Sequence, residues 1–170
     1  MIGLPLKQAF TDLLPMTDEM GDLCVETYRS LFNENNALYV IPTFPHVMET
    51  LHQLHEQGYT LTIASSRSNR SLREFVNDMH LNEVIPYVLG AEDVVRAKPH
   101  PDPVLQTLET FNCKPEDALV VGDTWYDIEM GRRAGVRTCG VTYGNGSREE
   151  LMRAGADCLM DDFGELMEII

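Results

Sequence analysis

The spacing of apolar residues divides the chain into two textures. Over residues 1–43 the spacing is helical. Leu4, Leu6, Phe10, Leu13 and Leu14 form one stripe that ends at Pro15. Met20, Leu23, Cys24, Thr27, Tyr28 and Leu31 form a second, at the three- and four-residue intervals of a helix face. Asp18 and Glu19 sit where the first turn of that second helix begins, and carboxylates there suit the helix dipole. The pattern fades in the polar run of residues 33–36, and a connection with two prolines, Pro42 and Pro45, follows.

From residue 44 the texture alternates between short apolar runs and helical spacing. Val47, Leu51 and Leu54 mark a helix that Pro45 can start and Gly58 can end. Strands are predicted at residues 59–64, 87–90, 118–121, 138–142 and 157–160. Helices are predicted at 71–79, around Val104, Leu105, Leu108 and Phe111, and at 128–134, 148–154 and 163–169. Strands alternating with helices imply right-handed crossovers and a mostly parallel sheet. The fold class is therefore α/β, with a helical unit over 1–43 and a Rossmann-like core over 44–170.

A chain of 170 residues is one domain with at most a small appendage. The formal net charge is −14, from 27 acids and 13 bases. That balance argues against nucleic acid or an anionic membrane as the main partner. An anionic substrate would need a local cation to overcome the field. The cysteines, Cys24, Cys113, Cys139 and Cys158, are widely spaced and form no C-x-x-C pair. They read as small buried apolar residues in a reducing, cytoplasmic setting. No signal peptide, membrane span or repeat is visible.

Candidate chemistry lies where strands end. The run at 118–121 stops at Gly122, and two carboxylates follow, Asp123 and Asp127. In open α/β folds that edge binds ligands, and paired acids there suit a hard cation such as Mg²⁺. The alternative is a helix-capping Asp123 with a solvated Asp127. Ser65 also ends a strand, where a hydroxyl and backbone N–H groups can hold a phosphoryl oxygen, although a turn or cap gives the same pattern. Lys98 stands between Ala97 and Pro99 in a loop stiffened by Pro99 and Pro101, where a fixed ammonium could neutralise phosphate. A surface lysine in a stiff loop is the plainer reading. His52 and His55 fit a solvated helix face, and His100 a loop. Ser147 with Glu150 makes a capping box, and the glycines at 144 and 146 are too few for a dinucleotide fingerprint.

Three signals in fixed order, the strand ending in Ser65, the pair Lys98-Pro99 and the Gly122-Asp123-x-x-x-Asp127 run, together resemble the haloacid dehalogenase-like hydrolases. The run at 140–151, the segment at 154–157 and the start at residues 2–6 resemble the phosphoglycolate phosphatase and pyrophosphatase branch. The start looks like the interior of that branch's helical cap. The resemblance implies that Ser65, with Ser66 beside it, binds phosphate. It implies that Lys98 steadies phosphate and nucleophile, that Asp123 is a Mg²⁺ ligand, and that Asp127 assists directly or through water. It favours a small phosphorylated metabolite over a carbon–halogen substrate, because metal-independent dehalogenases lack the acid at Asp123.

The family's first motif is a strand ending in Asp-x-Asp-x-Thr, and no Asp-x-Asp occurs in this sequence. That strand, by the resemblance, lies between the runs at 59–64 and 118–121. Four expectations stay open. The chain is a shortened form of an active enzyme; the gap is filled by exchange with another copy, giving a homodimer; the two flanking strands pair directly; or the chain is a non-catalytic relative that binds a phosphorylated ligand.

Overall fold

The structure, a computed structural model, describes residues 5–36 and 42–170. The expectations that rest on Leu4, on the run at 2–4 and on the start of the connection at 37–41 lie outside the described residues.

Two helices open the chain, α1 (Leu6–Leu13) and α2 (Asp18–Asn36). They pair as a hairpin. Lys7 Nζ reaches Asp18 Oδ1 at 2.9 Å and Asp22 Oδ1 at 2.8 Å, and the Phe10 ring meets Tyr28 edge-on at 6.2 Å. Gly21, the buried position of the first α2 turns, lets α2 approach the Lys7 and Thr11 side chains. Much of the apolar stripe stays at the surface: Leu13, Leu14, Met20 and Leu23 are exposed.

The remainder alternates helix and strand: α3 (Val47–Glu56), β1 (Thr62–Ala64), α4 (Asn69–Asp78), β2 (Tyr87–Leu89) and α5 (Asp102–Phe111). Then follow β3 (Leu119–Gly122), α6 (Trp125–Ala134), β4 (Arg137–Val141), α7 (Arg148–Ala154), β5 (Cys158–Met160) and α8 (Leu166–Ile169). Every strand pair is parallel. Gly58 and Gly135 take positive φ, 87° and 77°, just beyond their helices, a conformation that side chains with a Cβ resist. Pro45 does not start α3. It sits in a turn, and His46 in a left-handed conformation precedes the first helical residue.

The sheet is in two pieces. β1 pairs with β2 alone, with Ile63 opposite Val88. β3, β4 and β5 form a second sheet in that order, with Val121 opposite Cys139 and Gly140 opposite Leu159. Direct pairing of the strands either side of the gap is therefore ruled out: among the described residues β1 and β3 share no ladder.

The apolar clusters nevertheless bridge the two pieces. Leu119, Val121 and Leu61, which lies just ahead of β1, all pack against one cluster that includes Leu54 of α3, Val141 and Met160. Val120 and Ala64 of β1 both pack against a second cluster that includes Val104 and Leu108 of α5 and Met130 of α6. A third cluster gathers Ile63, Val88 and the α4 residues Leu72 and Val76. This is a three-layer arrangement whose period-2 alternation sends neighbouring strand residues to opposite helix layers.

The cysteines are all free, but only Cys139 is fully buried; Cys24, Cys113 and Cys158 are half-buried, which corrects the expectation that all four fill the core. Burial, with Cys158 beside it across the ladder, pushes the Cys139 thiol up to about 12. No described helix is long and apolar enough to cross a membrane.

Candidate active site at the end of β3

β3 ends at Gly122 because of what lies against it. A Cβ on Gly122 would stand 2.2 Å from the Cβ of Asp127, so only glycine lets the first turn of α6 fold back over the strand end. That return brings Asp127 inside. Its Oδ2 accepts from the Thr124 N–H at 3.1 Å and from the Thr124 hydroxyl at 2.6 Å. Thr124 is the residue just before α6, so Asp127 completes the N-terminal cap of the helix it belongs to.

The other oxygen of Asp127 meets Lys98. Nζ donates to Oδ1 at 2.7 Å, with the lysine side chain 13% and the aspartate side chain 9% exposed. Lys98 stands in the stretch before α5, joined to Pro99 by a cis peptide bond. A nearly buried ion pair holds only when both partners have further hydrogen bonds or good geometry. Here Thr124 supplies two for the carboxylate. Both oxygens of Asp127 are thus engaged within the chain, Oδ1 by Lys98 and Oδ2 by Thr124.

Asp123 is held from the other side. The loop after β4 wraps around it: Asn145 donates to Oδ2 from its backbone N–H at 2.9 Å and from its side-chain amide at 2.7 Å. The Gly146 N–H donates to the Asp123 carbonyl at 2.8 Å. Among the described residues no hydrogen bond falls on Oδ1. Tyr143, in the same loop, packs its ring 4.7 Å from that of Phe44. Burial, then the charges of Asp162 and Asp123, push its phenol up to about 12, so it stays protonated.

Ser65 follows β1 directly, and its N–H extends the ladder to the Leu89 carbonyl at 2.9 Å. Its hydroxyl accepts from the Arg67 N–H at 3.2 Å, the ST-turn that the sequence allowed. The turn is braced by the end of β2. Ala91 N–H donates to the Arg67 carbonyl at 2.9 Å and Asn69 N–H to Glu92 at 2.8 Å, while Asp93 accepts from the Gly90 N–H at 2.7 Å and from the Asn69 amide. Ser66 is half-buried in this turn. Lys98 and Asp127 are in direct contact, Asp123 is one residue beyond the strand end that Asp127 covers, and Ser65 is one residue beyond Ala64, which packs in the cluster of Val120.

Thr124, Asn145 and the Glu92–Asp93 brace were not singled out from the sequence. Thr124 with Asp127 has the spacing of a capping box and was legible. Asn145 lies 22 residues from Asp123 in sequence, and nothing local announces that contact. His52 and His55 are exposed on α3, as expected of a solvated face. Ser147 and Glu150 form their capping box, the hydroxyl accepting at 3.2 Å and the carboxylate at 2.9 Å.

The parallel α/β fold agrees with what comparison with known proteins finds. Over residues 1–141 the chain matches the family model of haloacid dehalogenase-like hydrolases. It is 32% identical over 169 residues to the pyrophosphatase PpaX of Anoxybacillus flavithermus, covering 99% of this chain and 77% of that protein. It is 34% identical over 173 residues to a phosphatase, IndB, of Dickeya dadantii, so described on probability, covering 98% and 74%. Among solved structures it superposes with a TM-score of 0.82 and 25% identity on a predicted phosphoglycolate phosphatase from Haemophilus somnus, covering 91% of this chain and 68% of that one. The chain belongs to the haloacid dehalogenase-like hydrolases.

Proposed function

We propose that the protein is a Mg²⁺-dependent phosphatase for a small phosphorylated metabolite, with phosphoglycolate and pyrophosphate the first compounds to test. The observation that carries this reading is the buried Lys98–Asp127 pair at 2.7 Å beside an Asp123 whose Oδ1 carries no bond within the described chain. Among the described residues no group of three or more His, Cys, Asp or Glu side chains could hold a metal alone. Mg²⁺ takes one or two protein carboxylates and completes its shell with water and phosphate oxygens. Asp123 would hold the ion directly and Asp127 through water. When bound, Mg²⁺ would neutralise charge on the phosphoryl oxygens.

The chain's own residues then have distinct tasks. Lys98 brings positive charge into a protein of net charge −14, and Asp127 and Thr124 keep its ammonium in place. The Ser65 hydroxyl and the N–H groups of the braced turn beside it bind phosphoryl oxygen, with Ser66 alongside. In the sequence no carboxylate or histidine stands next to Ser65 or Ser66. Ser65 accepts a hydrogen bond from the Arg67 N–H, and among the described residues none joins its hydroxyl to a carboxylate or histidine. Hydrolysis therefore needs a carboxylate from elsewhere. We place it on an extended segment lying between β1 and β3, whose facing edges carry no ladder among the described residues.

A steady-state assay with Mg²⁺ and phosphoglycolate tests this reading. This chain is expected to release no phosphate. A version carrying an added apolar strand ending in Asp-x-Asp-x-Thr ahead of residue 1 is expected to turn over and to lose that turnover in Asp123→Asn. Turnover that survives Asp123→Asn would overturn the assignment. A second reading, a non-catalytic module that binds a phosphorylated ligand, is supported by the lack of any Asp-x-Asp in the sequence. It predicts Mg²⁺-dependent phosphate binding with no turnover in either form. Strand exchange between two copies predicts a dimer by sedimentation, and a monomer at micromolar concentration would exclude it.

A further inference from the structure

We propose that Asn145 is a positioning residue that fixes the Asp123 carboxylate so that Oδ1, and not Oδ2, faces a divalent cation. This rests on the cation role of Asp123 given above. Two donors of one residue, the backbone N–H and the side-chain amide, converge on the same oxygen at 2.9 and 2.7 Å. A carboxylate so gripped on one oxygen loses its freedom to rotate, and the order is established before a ligand arrives.

The grip depends on a backbone that comes unusually close. A Cβ on Gly144 would lie 2.2 Å from the Cβ of Asp123 and 2.6 Å from its Oδ2. A Cβ on Gly146 would lie 2.5 Å from the Asp123 carbonyl oxygen, which accepts from the Gly146 N–H. Neither glycine has positive φ, so close approach, not backbone conformation, explains them. The loop is anchored at both ends, by Thr142 N–H to the Met160 carbonyl at 3.0 Å and by the Ser147–Glu150 capping box. Gly144, Asn145 and Gly146 thus act as one clamp, with the glycines admitting the loop and the asparagine doing the orienting.

The two aspartates contrast here. Asp127 spends one oxygen on Lys98 and the other on Thr124, whereas the clamp concentrates all bonding to the Asp123 carboxylate on one oxygen. Losing a partner that orients a metal-binding side chain typically costs roughly 10-fold or more in metal affinity.

The test is Mn²⁺ binding followed by electron paramagnetic resonance, with inorganic phosphate present, together with melting temperature. The whole chain, Asp123→Asn, Asn145→Ala and Asn145→Ser are compared. The expected result is one Mn²⁺ bound by the unaltered chain and none by Asp123→Asn. Asn145→Ala binds about 10-fold more weakly at an unchanged melting temperature, and Asn145→Ser, which restores a donor, recovers part of the loss. Binding by Asn145→Ala equal to that of the unaltered chain overturns the positioning role alone. A loss of affinity matched by a fall in melting temperature in both Asn145 variants also overturns it, because the role would then be structural. No binding by the unaltered chain, or binding that survives Asp123→Asn, overturns the cation role of Asp123 and this inference with it.

Discussion

β3 and β4 are neighbours in one sheet, and the more apolar β3 is the less buried of the two. Four of the five β4 residues are buried, whereas all four of β3 and all three of β1 are only half-buried. β4 has a strand on each side, whereas among the described residues β3 and β1 have one each, which leaves a seam between the two sheets. The candidate chemistry follows the seam. Asp123 comes just after β3 and Ser65 just after β1. The interior of the larger sheet supplies rigidity through apolar packing, and the seam is held at its end by polar contacts. Strong local bonding at sites on weakly buried elements is a common division between stability and function.

Four substitutions or conditions sharpen that contrast, from the largest expected effect to the smallest. Lys98→Ala removes the partner of Asp127 at the seam and leaves a nearly buried carboxylate with Thr124 alone. It should cost about 3 kcal/mol by urea unfolding, and more than Lys98→Arg does. Val141→Ala in β4 should cost about 2 kcal/mol, and Val121→Ala in half-buried β3 about half as much. Equal costs for the two valines would erase the difference between interior and seam.

The third concerns acid. Asp157 accepts from the Thr138 N–H at 2.8 Å and from its hydroxyl at 2.9 Å, and these bonds hold its carboxyl below the ordinary carboxylate value. A lowered native pKa gives stability that is present above the unfolded value and lost as pH falls through the native one. Denaturation midpoints should therefore fall below about pH 4, and fall less in Asp157→Asn, which lacks the titrating group. The fourth runs the opposite way. His46 Nδ1 lies 2.8 Å from the Asp162 carboxylate, whose hydrogen bond and charge raise the imidazole pKa. That contribution is complete below the ordinary histidine value of about 6.5 and is lost as pH rises through the raised one. The pair is exposed, so the effect should be the smallest of the four, seen as a shift in melting temperature that His46→Gln removes.

Much of this was legible in the sequence. The alternation from residue 44 marks every strand and α-helix of the core, though not the short 3-10 helices Ala91–Asp93 and Pro115–Asp117, because apolar periodicity follows directly from burial on one or both faces. The strand runs were read too long where an edge is unpaired: 59–64 was expected and only Thr62–Ala64 pairs. Leu61 says that the segment packs, not that it has a ladder partner, and Tyr59 is exposed. Gly122, Asp123 and Asp127 declared themselves because a strand, a turn and a helix cap are local. The Lys98–Asp127 bond spans 29 residues, and the Asn145–Asp123 clamp 22. Such contacts depend on where parallel strands end relative to one another, which the order of the sheet decides and no window of sequence contains. The division of the sheet was anticipated only through the missing Asp-x-Asp strand, and the resemblance, not periodicity, supplied it.

The most direct test of the account is calorimetric titration of the protein with inorganic phosphate, with and without Mg²⁺, for the unaltered chain and Asp123→Asn. The account predicts phosphate binding that requires Mg²⁺ and disappears in Asp123→Asn. Phosphate binding of equal strength without Mg²⁺, or unchanged by Asp123→Asn, would contradict it.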